Sequence, residues 1–300
     1  MRKVSLIAIS LAAALLASGA AQADGQKCSL GRYATLPITI DDAGGVTVPM
    51  KVEDQVQNML IDTGGVFSML ADAAAARLNL RPQMIWGTSL TMLGGKTLDH
   101  YVVAHSMEIA GARVRDRQFV LLPNDLLPPG VDGVLGPDIL QVFDVDFDFA
   151  AGKVGLFSRD HCEGKVVYWT HDPHAQIPFK LDEGRHIKID VQLDGQEVPA
   201  ILDTGSSRSL MSQDTAVDLF KIDPAVVLSK NHNRYPFKML TLEGVTVNNP
   251  DIILVPDDKS KIMGGYRQPK LILSMGVLRQ LHLYIAYKEK MIYVTAASAH

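Results

Sequence analysis

The chain repeats itself once, and that duplication limits its fold more than any other feature. Residues 36–64 and 177–205 align without a gap at an offset of 141. Pro37 falls on Pro178, Asp41 on Asp182 and Gln55 on Gln196. The apolar positions Val46, Val48, Met50 and Val52 fall on Ile187, Ile189, Val191 and Leu193. A second block, 107–123 on 240–256, repeats at an offset of 133, and a third at 138 sets Ile139-Leu140 on Val277-Leu278 and Phe147 on Ile285. The blocks keep their order in both halves. A solenoid would repeat at a period of about 20–50 residues, so this spacing describes two copies of one lobe.

Most of each copy has the patterning of strand. Residues 46–52 and 187–193 alternate apolar and polar, while 119–122 and 252–255 are short apolar runs of buried-strand length. Residues 143–149 read Phe-Asp-Val-Asp-Phe-Asp-Phe. On a strand their period of two collects Asp144, Asp146 and Asp148 on one face, which is expected to be solvated rather than a calcium ladder. Helices are few and short: 68–80, 212–220, 137–142 and 275–281.

Both copies of the first block end in apolar-apolar-Asp-Thr-Gly. The first reads Leu60-Ile61-Asp62-Thr63-Gly64-Gly65, the second Ile201-Leu202-Asp203-Thr204-Gly205-Ser206. A lone Asp-Thr-Gly is an ordinary turn. Two of them, each after an apolar strand and before a helix, at equivalent places in a repeat, make a paired site. Two carboxylates held close together cannot both ionise easily, so they share a proton and titrate as a unit. Such a pair can take a proton from water and give one to a carbonyl oxygen. Gly64 and Gly205 are read as permitting the tight turns.

These residues resemble the aspartic peptidases, and more closely the bacterial retropepsin-like proteins in which two lobes are fused in one chain. An apolar-apolar-Gly after each Asp-Thr-Gly strengthens the likeness. Val134-Leu135-Gly136 fits, whereas Ile272-Leu273-Ser274 carries Ser for Gly. Lys153-Val154-Gly155-Leu156 looks like a lobe-closing strand. The resemblance covers nearly all of the mature chain. It implies a mostly β, bilobal aspartic-peptidase fold of two homologous β-barrel-like lobes with few short helices. It also implies that Asp62 and Asp203 are the catalytic pair, and that Thr63 and Thr204 lock the two turns together. Substrate would lie between the lobes under a hairpin flap. The drop in offset leaves eight extra residues in the first copy, near Leu93-Gly94-Gly95-Lys96, which marks the flap. Gly65 departs from the pattern, because a hydroxyl there would bond the carboxylate; Ser206 is expected to do so in the second lobe. Loss of that bond would raise the pKa of Asp62.

The N-terminus reads as an export signal. Arg2 and Lys3 are followed by an apolar stretch, 4–16, too short to span a bilayer, and by Ala21-Gln22-Ala23. The expected organisation is a signal peptide 1–23, a first lobe 24–158, a linker 159–176 and a second lobe 177–300, in the periplasm or outside the cell. No stable membrane span is expected after signal removal. In that oxidising setting Cys28 and Cys162, the two cysteines of the chain, are expected to pair, although two free thiols stay open because sequence does not give their separation. The linker sequence His171-Asp172-Pro173-His174, with His161 nearby, is read as polar surface and not as a metal site. No cofactor is expected. A net charge of −4 offers no footprint for nucleic acid. The expected partner is a peptide or protein substrate, handled by a monomer that supplies both aspartates. A polypeptide-binding module without catalysis and a metal hydrolase built on the linker histidines remain as alternatives.

Overall fold

The computed structural model describes residues 29–42, 44–87, 90–91, 96–223, 234–255 and 271–297. The expected signal segment, Cys28 and Leu93-Gly94-Gly95 lie outside the described residues.

Each lobe is built on one antiparallel hairpin. Val46–Val52 pairs with Gln55–Ile61 in the first, and Ile187–Leu193 with Gln196–Leu202 in the second. The alternation read in the sequence is the reason: Val46, Val48, Met50 and Val52 are buried, as are Ile187, Ile189, Val191 and Leu193. Full burial of such a side chain stabilises by about 1.5–3 kcal/mol. A third strand is then inserted out of chain order. Gly133–Leu135 lies parallel to Gln55–Ile61 and antiparallel to Met69–Ala71. Leu271–Leu273 does the same against Gln196–Leu202 and Ser209–Ser212. This insertion brings the end of each Asp-bearing strand against the apolar-apolar-Gly or apolar-apolar-Ser run. Among the described residues the main sheets have ten and eight strands.

A six-stranded sheet joins the lobes. Its order is Arg32–Pro37, Lys153–Phe157, Asp144–Asp148, Leu281–Ala286, Met291–Ala296 and Ala175–Pro178. The central pairing, Val145 opposite Ile285 and Phe147 opposite Leu283, is between equivalent strands of the two copies. One apolar cluster runs from Val46 through Phe147 and Leu283 to Leu254, so the lobes share a core.

Three sequence expectations are corrected here. The helix expected at 68–80 begins later, at Asp72–Arg77, because Met69–Ala71 is pulled into strand by pairing on both sides. The aspartates of the central strand are not solvated: Asp144, Asp146 and Asp148 are at most 2% exposed. They do share one face, but the linker covers it. His161 Nε2 lies 2.5 Å from Asp144, His282 Nε2 2.7 Å from Asp146, and Lys153 Nζ 3.1 Å from Asp148; the Tyr168 hydroxyl also donates to Asp146. His161, expected on the surface, is buried with its other ring nitrogen 3.2 Å from Glu289. Trp169 stacks on His282 at 4.2 Å. The segment is therefore a packed strap across the back of the joining sheet. No described helix is long and apolar enough to cross a membrane.

Candidate active site

The two Asp-Thr-Gly turns meet between the lobes. Each follows a strand whose last residues, Leu60-Ile61 and Ile201-Leu202, are buried. The backbone amides of Asp62 and Asp203 donate to Leu135 O and Leu273 O of the inserted strands, at 3.0 and 2.9 Å. That bond ends each strand at the aspartate and turns the chain away.

The threonines interlock. Thr63 N donates to Thr204 Oγ1 and Thr204 N to Thr63 Oγ1, both at 3.1 Å. Thr63 Oγ1 donates to Leu202 O and Thr204 Oγ1 to Ile61 O, both at 2.9 Å. All four bonds cross from one lobe to the other. Both threonines are buried, so no water competes for these groups.

Each carboxylate sits in a cradle of amides. Asp62 Oδ1 accepts from Gly64 N at 2.9 Å and Gly65 N at 2.8 Å. Asp203 Oδ1 accepts from Gly205 N at 2.8 Å, and the Ser206 amide also serves this carboxylate. The Ser206 hydroxyl does not: it donates to Arg208 O at 3.0 Å. The expected hydroxyl–carboxylate bond is therefore absent in the second lobe too, and Gly65 costs the first lobe nothing relative to it. The two cradles are equivalent.

The role of the glycines also differs from expectation. Neither Gly64 nor Gly205 lies at positive φ. A Cβ on Gly64 would fall 2.4 Å from Cγ of Asp203, and one on Gly205 2.4 Å from Cγ of Asp62. Each glycine makes room for the opposite aspartate. Close approach of two carboxyl groups, not turn conformation, is what excludes a side chain.

The two carboxyl groups lie within mutual hydrogen-bond reach, and both residues are half-buried. Desolvation raises both pKa values above the ordinary carboxylate range, and Asp203 further, because the charge of Asp62 adds to its burial. At Asp62 the hydrogen bond from Asp203, the Gly64 and Gly65 amides, and then His186 oppose the rise.

Behind the turns the lobes differ. In the first, Ser68 Oγ donates to Asp138 Oδ1 at 2.7 Å and accepts from Gly136 N at 3.0 Å, and Arg117 pairs with the same Asp138. In the second, Ser209 Oγ accepts from Ser274 N at 2.9 Å, and Gly276 stands in place of Asp138. Ser274 is fully buried and its hydroxyl has no partner among the described residues.

Of the expected flap, Lys96 is described. It is exposed and its Nζ lies 3.2 Å from Asp125. The flanking strands Leu90–Thr91 and Thr97–Leu98 pair as a two-stranded sheet of their own. Leu98 is buried with Leu60, Leu122 and Val134, so this hairpin is rooted over the strands that lead into the first turn. The sequence reading did not single out His186, which aligns with Gly45; most positions of that block differ between the copies, so the mismatch carried no signal.

Residues 48–139 match the aspartyl protease family. No curated protein matches the chain. Among solved structures, an aspartic proteinase from Irpex lacteus superposes with a TM-score of 0.57 at 14% identity, covering 88% of this chain and 97% of that one. Basic 7S globulin from soybean superposes with a TM-score of 0.55 at 12% identity, covering 91% and 96%. The chain has the bilobal, mostly β fold of the aspartic proteinases, and its first lobe matches the aspartyl protease family.

Proposed function

We propose that the protein is an aspartic endopeptidase, exported to the periplasm or beyond, that hydrolyses peptide bonds with a water held by Asp62 and Asp203. The observation that carries this reading is the pair itself. Two carboxyl groups lie within hydrogen-bond reach, each in an amide cradle and each backed by a glycine that cedes its side-chain space.

Raised and unequal pKa values favour one shared proton across a broad pH range. In that state the ionised carboxylate takes a proton from the bound water, and the oxygen adds to the substrate carbonyl carbon. The protonated carboxyl gives its proton to the carbonyl oxygen. The resulting tetrahedral diol collapses when a proton reaches the leaving nitrogen, without an acyl-enzyme. The interlocked threonines hold the carboxylates to the geometry that this needs.

The test is cleavage of a mixed peptide library by mature protein from acid to neutral pH, beside Asp62→Asn and Asp203→Asn. Each substitution is expected to lower kcat/KM by at least ~10²-fold. A folded wild type that cleaves nothing at any pH would assign the fold to polypeptide binding instead. Cleavage that survives both substitutions would place the chemistry elsewhere.

A further inference from the structure

Away from the dyad, the strap ties the two lobes together through one buried imidazole. Asp144 lies on a strand of the first copy, and Glu289 on the turn between Leu281–Ala286 and Met291–Ala296 of the second. His161, on the strap between them, reaches both. Its Nε2 lies 2.5 Å from Asp144 Oδ2. Its Nδ1 lies 3.2 Å from Glu289 Oε1 and 3.2 Å from Cys162 O.

This geometry fixes a proton count. A neutral imidazole carries one N–H and one lone pair. Here both ring nitrogens face oxygen acceptors, so each gap needs a proton of its own. Either both nitrogens are protonated, or Asp144 holds the proton in its gap while Nδ1 holds the other. Remove one proton and a lone pair is left facing a lone pair. The side chains of His161, Asp144 and Glu289 are 2, 0 and 8% exposed, so bulk water does not reach in to bridge that gap. Burial also raises the pKa of Asp144, despite His161 and the Tyr287 amide, which favours keeping the proton.

The neighbours offer no substitute donor. Asp144 Oδ1 already accepts from Tyr287 N at 2.8 Å. Glu289 Oε1 accepts from Gly164 N at 3.2 Å and Oε2 from the Tyr293 hydroxyl at 2.5 Å. From the sheet, Tyr284 faces the same carboxylates; burial and their charges raise its pKa, so it stays a neutral phenol. The charged groups nearby are exposed. Arg159 acts on Asp144 from the strap while donating to Gln141 O, and Asp160 pairs with Lys288 of the hairpin at 3.5 Å; Glu163 stands on the strap's outer side.

We propose that His161 with Asp144 and Glu289 is a proton-operated latch on the joint between the lobes. With a proton in each gap the strap is closed over the sheet. When one proton leaves as pH rises, the strap opens locally around 159–167 and exposes the carboxylates beneath. The latch is independent of any peptidase chemistry at Asp62 and Asp203.

The experiment is amide hydrogen exchange of the mature protein from about pH 5 to about pH 9, a range that spans imidazole titration and stops short of tyrosine. Each rate is divided by that of an unstructured chain at the same pH, which gives a protection factor. In wild type, protection of residues 159–167 should be level in acid and then fall about tenfold per pH unit, the slope for release of one proton. The core strand 187–193 should show no such fall. Asp144→Asn and Glu289→Gln each supply an amide N–H that can donate to a neutral imidazole, so in either variant the fall should vanish. Level wild-type protection across the range would overturn the proposal. So would a fall shared equally by 187–193, which reports global unfolding, or a fall that persists in either folded variant. If neither variant folds, the wild-type comparison of 159–167 with 187–193 still decides.

Discussion

Glycine at 136 and serine at 274 occupy the same position in the two copies, and their surroundings show why one cannot replace the other. A Cβ on Gly136 would lie 2.7 Å from the backbone carbon of Phe67. That neighbour cannot rotate away, so Gly136→Ser should cost about 1–3 kcal/mol. Ser274 is tolerated, but it buries a hydroxyl without a partner among the described residues. Ser274→Ala should therefore stabilise the protein, by up to about 1 kcal/mol. Urea denaturation measures both. A stabilising Gly136→Ser would show that the first lobe has room at this position, and a clearly destabilising Ser274→Ala that the Ser274 hydroxyl is satisfied in the second.

At the scale of elements, the central strand Asp144–Asp148 sets the problem. It places three carboxylates in the interior, and the strap 159–174 answers them. Burial raises the pKa of Asp144 despite His161. At Asp148 the Ala151 amide and Lys153 outweigh burial and lower it. The pair Asp146–His282 is stacked under Trp169 and closed off from water. Removing one partner of a buried pair strands the other, so His282→Phe should cost about 3–5 kcal/mol. Adding Asp146→Asn should return part of that loss. A double-mutant cycle reads the coupling, and strictly additive losses would show that the pair has none. The alternation of residues 143–149 made the shared face legible in sequence. It gave no sign of what would cover that face, because the covering segment carries no periodicity of its own.

The whole molecule is held by two different joints. The joining sheet supplies area and a common core, whereas the four threonine bonds supply register between the catalytic turns. Bringing Asp62 and Asp203 together has a global consequence for stability. Their folded-state pKa values are raised, so the folded protein binds more protons than the unfolded chain once pH climbs above the ordinary carboxylate range. Stability attributable to the dyad is present at low pH and is lost as pH rises toward the folded values. Asp203→Asn lacks this penalty. Its Tm should match wild type in strong acid and exceed it increasingly toward neutrality, by about 2–4 °C for each kcal/mol relieved. Parallel Tm curves across pH would mean that the folded dyad is no more proton-avid than the unfolded chain.

The amino-acid sequence alone determined the duplicated lobe, the strands that carry it and the two aspartates, because repeats and alternation are local patterns that survive in one dimension. The tertiary structure decided the rest. Gly64 and Gly205 are required by the opposite aspartate, 139 and 143 residues away in the chain. The Ser206 hydroxyl turns to its own backbone instead of the carboxylate. Asp144, Asp146 and Asp148 are interior because a strap closes over them. These are consequences of which surfaces meet across the molecule, and residue order does not state them.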